Sequence, residues 1–429
     1  MTEFWIRCGA LVIGDGQPPL SDVAVHVVDG VIDGVLPQAG LPASVTDETV
    51  VDHSAATVVP GFVDAHVHLL FTCDVDHERT RTGVEQSGSA ELALVGARSA
   101  LECLLGGVTT VRDCGDTDFV TLAIRDAVRA GTLAGPRILA AGPPITTTGG
   151  HLHWCGNAVD SIDEIRKATR MLCTRGVDVV KVMASGGNMT RGSNKLMPQF
   201  EQHELEVLVG EAHRLGRRVA AHALNTESIR RAVHAGVDTI EHCGWYDEKG
   251  TPDLDLDLVA EMAVRPVSAT VTMAGINRVL LPGAEAAGEM ETLAAHAMSQ
   301  SGNLVDDFAW ARTMRAAGVH LSVASDAGVR FTPFREFGQS VECAILGLGL
   351  TFSEAIAMST LRAAEALGIA DEVGSIEAGK AADLVVLDGI ADDTTSRIGR
   401  VRQVWRDGTL LVDDGRVAVA DAPYTLAAS

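Results

Sequence analysis

The chain has 429 residues, of which 46% are hydrophobic and 4% aromatic, and its formal net charge is −23. This length exceeds that of a typical small domain, so it predicts one large domain with a smaller accessory domain. The acidic charge argues against nucleic acid or an anionic membrane as a partner, because a phosphate surface would repel it; the same charge also serves solubility.

The N-terminal segment, residues 1–57, has the pattern of short strands separated by turns that contain glycine. It includes ALVIGDG, VAVHVVDGVIDGV and TVVDHSAATVVPG. The first residues lack the basic and apolar regions of a signal peptide, and no apolar stretch is long enough to cross a bilayer. The eight cysteines form no C-x-x-C pair and are expected to be reduced, mostly buried residues. We therefore expect a cytoplasmic protein.

From about residue 58 the sequence alternates apolar runs with helical patterns such as residues 161–176 and 226–236. Eight runs are predicted as parallel strands, and eight repeated βα units predict a (β/α)8 TIM barrel. These runs are 61–70, 107–115, 137–142, 177–187, 217–224, 237–245, 265–273 and 319–328.

Two connections between these runs are long, residues 71–92 and 275–306, and long loops in a compact domain usually contact substrate or cover a site. Helices within 353–368 can close the barrel. Residues 372–388 then return to strand-like alternation. The fold class predicted is therefore α/β, with a barrel over 58–371 and a small β-sandwich domain built from residues 1–57 and 372–429.

Ionisable residues follow several of the predicted strands, at the end of a parallel barrel where active sites lie. Asp64, His66 and His68 alternate along the first run, so they can share its inward face. A single buried histidine is usually a core residue bonded to the backbone. Asp64 is either a partner for a ligand or a carboxylate that only belongs to the strand face.

Further polar residues stand at other strand ends: Lys181 in the fourth run, His222 in the fifth, His242 in the sixth and Asp326 in the eighth. A buried lysine costs several kcal/mol unless it is neutralised or modified. It could be a neutral nucleophile, a Schiff base, or a lysine carboxylated by CO2 that bridges metals. Imidazoles with carboxylates suit zinc or a similar divalent ion, and this joint pattern favours a metal site.

This constellation resembles the amidohydrolase superfamily, and the phrases VVPGFVDAHVH, IEHCGW, ASDAG and GSIEAGKAADLVVLD are similar to its members. The resemblance covers nearly the whole chain and implies a barrel with two divalent metal ions, for which the donor types predict Zn2+. It implies that His66, His68 and Asp326 hold the more buried ion and that His222 and His242 hold the more exposed one. It also implies that carboxylated Lys181 bridges them.

Two ions held in this way would make a bridging hydroxide available near neutral pH, with Asp326 as the general acid and base. The motifs GVTTVRDCG, TGGH and KVMASGG look like one branch of the superfamily, which contains Xaa-Pro dipeptidases, dipeptidases acting before Arg or Lys, and ochratoxin-type amidases. The resemblance implies hydrolysis of an amide in a dipeptide or N-acyl amino acid. It also implies that His151 assists at the substrate carbonyl and that Tyr246 meets the substrate carboxylate.

Three other residues are candidate substrate contacts. His153 brings a second imidazole close to His151, and it is either a contact or a loop residue. Arg330 and Arg191 can each offer a bidentate guanidinium to a carboxylate, or can be solvated loop arginines. The run SGGNMTRGS, residues 185–193, lacks the ending of a phosphate loop and is predicted to lie over the site.

Two alternatives to an amide hydrolase of dipeptide-like substrates stay open. One is a cyclic-amide hydrolase similar to imidazolonepropionases, or a deaminase, that uses one metal; Lys181 speaks against it. The other is a scaffold without catalysis, which the complete set of expected metal ligands disfavours. The expected partner is a small-molecule substrate. Relatives of this fold often form homo-oligomers, but no sequence feature identifies an interface.

Overall fold

The computed structural model of the protein describes residues 3–42, 45–46, 49–273 and 304–418. Its strands there are β1 Glu3–Leu11, β2 Val23–Val28, β3 Val31–Pro37, β4 Val50–Pro60, β5 Phe62–Val67, β6 Val108–Asp113, β7 Arg137–Ala140, β8 Val179–Met183, β9 Arg218–Ala223, β10 Thr239–His242, β11 Ser268–Thr272, β12 His320–Ala324, β13 Leu384–Asp388, β14 Val401–Arg406, β15 Thr409–Asp413 and β16 Arg416–Val417. The helices are α1 His77–Gln86, α2 Ser89–Leu105, α3 Val120–Arg129, α4 Ile162–Arg175, α5 Gln202–Arg214, α6 Thr226–Ala235, α7 Leu256–Val264, α8 Leu304–Ala316, α9 Phe337–Leu348, α10 Phe352–Met358 and α11 Leu361–Leu367.

Strands β5 to β12 run parallel to their neighbours in two sheets. One sheet has the order β5-β6-β7, and the other contains β8 to β12 in sequence order. Parallel bridges join Ile145 to Val182 and Val67 to Ala327, so the edges of the two sheets contact each other. Each apolar run predicted as a strand contains one of these strands. The prediction of an α/β fold with parallel strands is confirmed.

The helices between these strands begin and end at the residues that their chemistry favours. Ser161 caps α4 by accepting a hydrogen bond from the backbone N–H of Glu164, and Gly176 ends the helix in the left-handed region. Asn225 caps α6 in the same way, and Gly236 ends it. These local signals explain why the helical segments 161–176 and 226–236 were recognisable from sequence.

The two chain ends meet in a separate sheet, which is mostly antiparallel. Its strand order is β16-β15-β14-β13-β4-β1-β2-β3, and the pairing of β13 with β4 joins the C-terminal to the N-terminal strands. Its apolar face packs Ile6, Val25, Val58 and Leu384 into one buried cluster. The domain boundaries at 57/58 and 371/372 stay predictions.

The two connections predicted to be long differ in how much of each the structure describes. Residues 71–92 contain helix α1 and the start of α2, so much of the first connection is helical. The second, 275–306, lies outside the described residues except for the first residues of α8.

The main buried core fills the space between the parallel strands and their helices, with Phe62, Val108, Val180, Val219 and Val323 among its members. The eight cysteines all lie in the described ranges and are free, as expected of reduced residues. Within the described residues, no helix has both the length and the apolar character needed to cross a membrane.

Candidate active site

A cavity of about 220 Å3 opens at the carboxyl ends of the parallel strands. Every residue predicted to hold metal contributes to its lining, and these residues are His66, His68, Lys181, His222, His242 and Asp326. Because parallel strands all end at the same edge, residues from distant parts of the chain converge there. The strand-end positions of the sequence therefore meet in one cavity.

His66 and His68 both face the carboxylate of Asp326. The Nε2 atoms of His66 and His68 lie 3.4 Å and 3.5 Å from Oδ1 of Asp326. The three side chains bring ligand atoms within 4.8 Å of one another. Asp326 adopts a left-handed backbone with φ +61°, and its N–H donates to the carbonyl oxygen of His66 at 2.9 Å. These contacts hold the carboxylate between the two imidazoles.

Lys181 is the most unusual residue of the cavity. It lies in the middle of β8, its side chain is 1% exposed, and its Nζ has no hydrogen-bond partner among the described residues. An amine buried without a partner is costly, since it gives up its hydration without compensation. Oδ1 of Asp326 likewise has no hydrogen-bond partner in the described part of the chain.

His222 and His242 form a second pair of imidazoles, from β9 and β10. Their ring centroids are 4.7 Å apart, and His242 lies 4.9 Å from the ring of His66. Nδ1 of His242 is bonded to Oγ1 of Thr272 at 3.1 Å, and Nε2 of His222 lies 3.1 Å from the carbonyl oxygen of Gly186.

Burial keeps these histidines neutral. It lowers the pKa of His68 and of His242 to about 3, and it lowers the pKa values of His66 and His222 well below the ordinary range. Burial also raises the pKa of Asp326 to about 8. Neutral imidazoles offer the nitrogen lone pairs that a metal ion requires.

Asp64 does not line the cavity. Its Oδ1 accepts hydrogen bonds from the N–H of Ser325 at 3.0 Å and from the N–H of His66 at 3.3 Å, and its Oδ2 accepts from the hydroxyl of Ser325. Asp64 thus ties the strand that carries His66 to the segment that carries Asp326. It contacts the backbone of His66 rather than the imidazole, and its role as a partner of a ligand stays a prediction.

His151 lies beside His222, with ring centroids 4.6 Å apart, and its Nδ1 has no hydrogen-bond partner within the described ranges. Burial lowers its pKa to about 3. The loop predicted to lie over the site does so, since Asn188 and Met189 line the cavity. A Cβ on Gly187 would come within 2.5 Å of Nε2 of His151, so a larger residue here would displace the imidazole.

The four candidate substrate contacts divide into two groups. Arg330 lines the cavity and is half-buried. Tyr246, His153 and Arg191 are not among the described residues that line it. The Tyr246 ring packs edge-to-face on Trp310 with centroids 5.0 Å apart, His153 Nδ1 bonds the carbonyl oxygen of Gly150 at 2.9 Å, and Arg191 is exposed.

The sequence reasoning missed three polar residues at the site. His77, at the start of α1, lines the cavity, and burial lowers its pKa to about 4. Arg112 and Glu241 lie beneath the cavity, where Nη2 of Arg112 donates to Oε1 of Glu241 at 2.5 Å. An arginine within the buried run VTTVRD and a glutamate next to a histidine in TIEH were the available signals, because each buries a charge that needs a partner.

The donor set of the cavity fits divalent metal ions. Four neutral imidazoles and a carboxylate are ligands that zinc prefers, and the unpartnered Nζ of Lys181 is where a carboxylate group formed with CO2 would add oxygen donors. His66, His68 and Asp326 form one ligand group, with His222 and His242 beside it.

The comparisons with known proteins agree with this arrangement. The model of the Amidohydrolase family matches residues 57–411. Ochratoxinase from Aspergillus niger is 28% identical, over 96% of this chain and 87% of that protein. Imidazolonepropionase from Shouchella clausii is 25% identical, over 85% of this chain and 79% of the relative.

A solved Xaa-Pro dipeptidase with methionine bound in its active site is 29% identical, with a TM-score of 0.78 over 95% of this chain and 99% of that one. The family predicted from the strand-end motifs is confirmed. The chain belongs to the amidohydrolase family and is a hydrolase acting on carbon–nitrogen bonds.

Proposed function

We propose that the protein is a metal-dependent hydrolase that cleaves the amide bond of a dipeptide or N-acyl amino acid. The observation that carries this proposal is the buried Lys181 amine, without a hydrogen-bond partner in the described residues, in a cavity lined by four strand-end histidines and Asp326. A buried amine needs a chemical reason, and carboxylation to a metal bridge accounts for it together with the surrounding ligands.

The scaffold of this proposal is a (β/α)8 barrel flanked by a small β-sandwich domain. The parallel order of β5 to β12 supports the barrel, as do the two bridges that connect the edges of their sheets. The sheet formed by both chain ends supports the flanking domain.

In this proposal two divalent ions are held by the cavity residues, and imidazole and carboxylate donors suit Zn2+. His66, His68 and Asp326 would hold one, His222 and His242 would hold the other, and a carboxylated Lys181 would supply oxygen donors to both. When bound there, such ions would activate a water molecule and polarise the scissile carbonyl.

The protein's own residues move the proton and orient the substrate. Asp326 has a carboxylate oxygen without a hydrogen-bond partner in the described residues, facing the cavity, so it can accept the proton of the attacking water. The same proton then passes to the leaving nitrogen, which departs as an amine, while the acyl group becomes a carboxylic acid that loses its remaining proton to the solvent. His151, whose ring borders the cavity, is suited to donate a hydrogen bond to the carbonyl oxygen.

Arg330 is the candidate that binds the substrate carboxylate, because it lines the cavity and a guanidinium can form two parallel hydrogen bonds. The similar Xaa-Pro dipeptidase has methionine in its active site, and methionine carries such a carboxylate. Tyr246, His153 and Arg191 stay candidate contacts at the border of this site.

The test is a substrate screen with the zinc-loaded protein against N-acyl amino acids, dipeptides, carbamates and cyclic amides. We expect hydrolysis of substrates with an amide next to a free carboxylate. Turnover of cyclic amides alone, with one metal ion bound per chain, would instead favour a cyclic-amide hydrolase similar to the imidazolonepropionase relative. Hydrolysis of lactones or phosphotriesters alone would overturn the reaction class.

A further inference from the structure

A buried hydrogen-bond network beneath the cavity contacts one of the proposed metal ligands. Oε2 of Glu241 lies 2.8 Å from Nδ1 of His66. Oε1 of the same carboxylate accepts from Nη2 of Arg112 and from Oγ1 of Thr239, both at 2.5 Å. Glu241 is fully buried, so these contacts are not exchanged with solvent.

Both oxygens of Glu241 are therefore committed to donors inside the protein. The Arg112 guanidinium and the Thr239 hydroxyl both donate to this carboxylate, so it is arranged to accept hydrogen bonds, which favours a proton on Nδ1 of His66. The other ring nitrogen, Nε2, is then unprotonated and offers a lone pair, 3.4 Å from Oδ1 of Asp326. Glu241 and Cys114 lie close enough to His66 for metal ligation, but both oxygens of Glu241 already have hydrogen-bond partners and burial raises the pKa of the Cys114 thiol to about 12.

Arg112 places a buried guanidinium directly beside the carboxyl group of Glu241. It is 2% exposed, and in addition to Glu241 it donates from Nε to the carbonyl oxygen of Ala65 at 2.7 Å and from Nη1 to Thr239 at 2.9 Å. The guanidinium thus joins β6, β10 and the residue that precedes His66. A buried charge pair of this kind is retained only with such complete hydrogen bonding.

We propose that Glu241, held by Arg112 and Thr239, is a positioning residue that fixes His66 as the Nδ1–H tautomer and so presents Nε2 to the metal centre. The inference rests on the proposed function, because it assigns a role toward the metal ions named there. Partners behind a ligating histidine set its tautomer and orientation, and their loss typically lowers metal affinity about 10- to 100-fold.

The experiment compares two double variants that both remove the buried charges, R112M/E241Q and R112M/E241L. Without Arg112, the amide oxygen of glutamine can still accept from Nδ1 of His66, whereas leucine offers no acceptor at similar volume. Zn2+ affinity is measured by competition with a chelator, and the thermal midpoint of the metal-free proteins checks that both variants fold.

We expect the glutamine variant to bind Zn2+ about 10- to 100-fold more tightly than the leucine variant. With Co2+ in place of Zn2+, the visible spectrum of the glutamine variant should match that of the wild type. If Glu241 had only a structural role, the glutamine would not restore this spectrum. Equal affinities and equal spectra in the two variants would overturn the inference and leave the proposed function intact if the wild type binds two ions. A wild type that binds no metal would overturn both.

A second measurement needs no charge-removing variant. In wild-type, metal-free protein labelled with 15N-histidine, the couplings of the ring nitrogens identify the tautomer of His66, whose signal is assigned by its loss in His66→Gln. The Nδ1–H form is expected. The Nε2–H form would overturn the inference.

Discussion

Nε2 of His66 lies 3.4 Å from Oδ1 of Asp326, at the meeting point of the first and last of the parallel strands. In the metal-free protein this contact is not a salt bridge near pH 7, because burial lowers the pKa of His66 well below its ordinary value and raises that of Asp326 to about 8. The cavity therefore holds neutral ligands next to one another. That arrangement has a direct consequence for stability.

The stability of the metal-free protein should fall at acid pH. Five buried histidines of the cavity have pKa values lowered by burial, and they are His66, His68, His151, His222 and His242. In the unfolded chain their pKa returns to about 6.5, so the unfolded state takes up protons that the folded state does not. The contribution of these histidines to stability is thus present above about pH 6.5 and is lost as the pH falls below that value.

Stability should also fall between about pH 6.5 and 8, because two buried carboxyl groups act in the opposite direction to the histidines. Burial raises the pKa of Asp64 to about 7 and that of Asp326 to about 8. Groups with raised folded pKa values stabilise the protein fully below their unfolded pKa of about 4, and this contribution declines with rising pH until it is lost at about pH 7 to 8. Below about pH 6.5 the five histidines outweigh these two carboxyl groups, so urea midpoints of the metal-free protein should peak near about pH 6.5. His68→Gln should reduce the fall of the urea midpoint at acid pH, whereas the control His203→Gln, at an exposed position, should not. A midpoint that stays constant from pH 5 to 7 would be inconsistent with neutral buried imidazoles.

Gly187→Ala should displace His151. The added Cβ would come within 2.5 Å of Nε2 of His151, so the ring must move out of the cavity wall. A displacement of about 1 Å can cost about 100-fold in rate, and we expect a fall in kcat of that order with an unchanged fold. The control is Gly210→Ala in α5, where an added Cβ meets nothing within 4 Å. Equal kcat values in both variants would remove His151 from the catalytic role.

Arg330→Lys should weaken binding of substrates that have a free carboxylate. Lysine keeps the charge but loses the two parallel hydrogen bonds, and a hydrogen bond to a charged group contributes about 1.5–3 kcal/mol. We expect KM to rise about 10- to 100-fold for the acid and to change little for the corresponding carboxamide. The matched control variant is Arg191→Lys, because the guanidinium of Arg191 is exposed and lies outside the cavity lining. A selective effect of Arg191→Lys instead would transfer the role to that residue.

The strands and several of the site residues were predictable because their signals are local. The alternation in VVPGFVDAHVH gives an inward face, and His66 and His68 do line the cavity. Asp64 shares that alternation yet bonds Ser325, because which partner a polar side chain meets depends on a segment distant in sequence. The caps of α4 and α6 were likewise readable from neighbouring residues.

The network beneath the cavity was not predictable for the same physical reason. Arg112 and Glu241 stand on different strands, and nothing in their local sequence specifies that they meet. His77 was missed because residues 71–92 were treated as a loop, whereas α1 begins at His77 and directs it to the cavity. Periodicity identifies faces of single elements, and the pairing of faces requires the fold.

The most direct test of the proposed metal centre is the metal content and activity of Lys181→Met beside the wild type. Both proteins are prepared with Zn2+ and 13C-labelled bicarbonate, and the metal-free forms serve as a fold control. In the metal-free wild type, the buried Nζ of Lys181 has no hydrogen-bond partner in the described residues, and such a group costs about 1–3 kcal/mol of stability. Methionine removes this penalty, so metal-free Lys181→Met should be at least as stable as the wild type.

If Lys181 is the bridge, the wild type will bind two ions per chain and give a 13C signal of a lysine carbamate. Lys181→Met will then lack that signal, bind fewer ions and lose amide hydrolysis. A Lys181→Met protein that keeps two bound ions and wild-type hydrolysis would contradict the proposed metal centre.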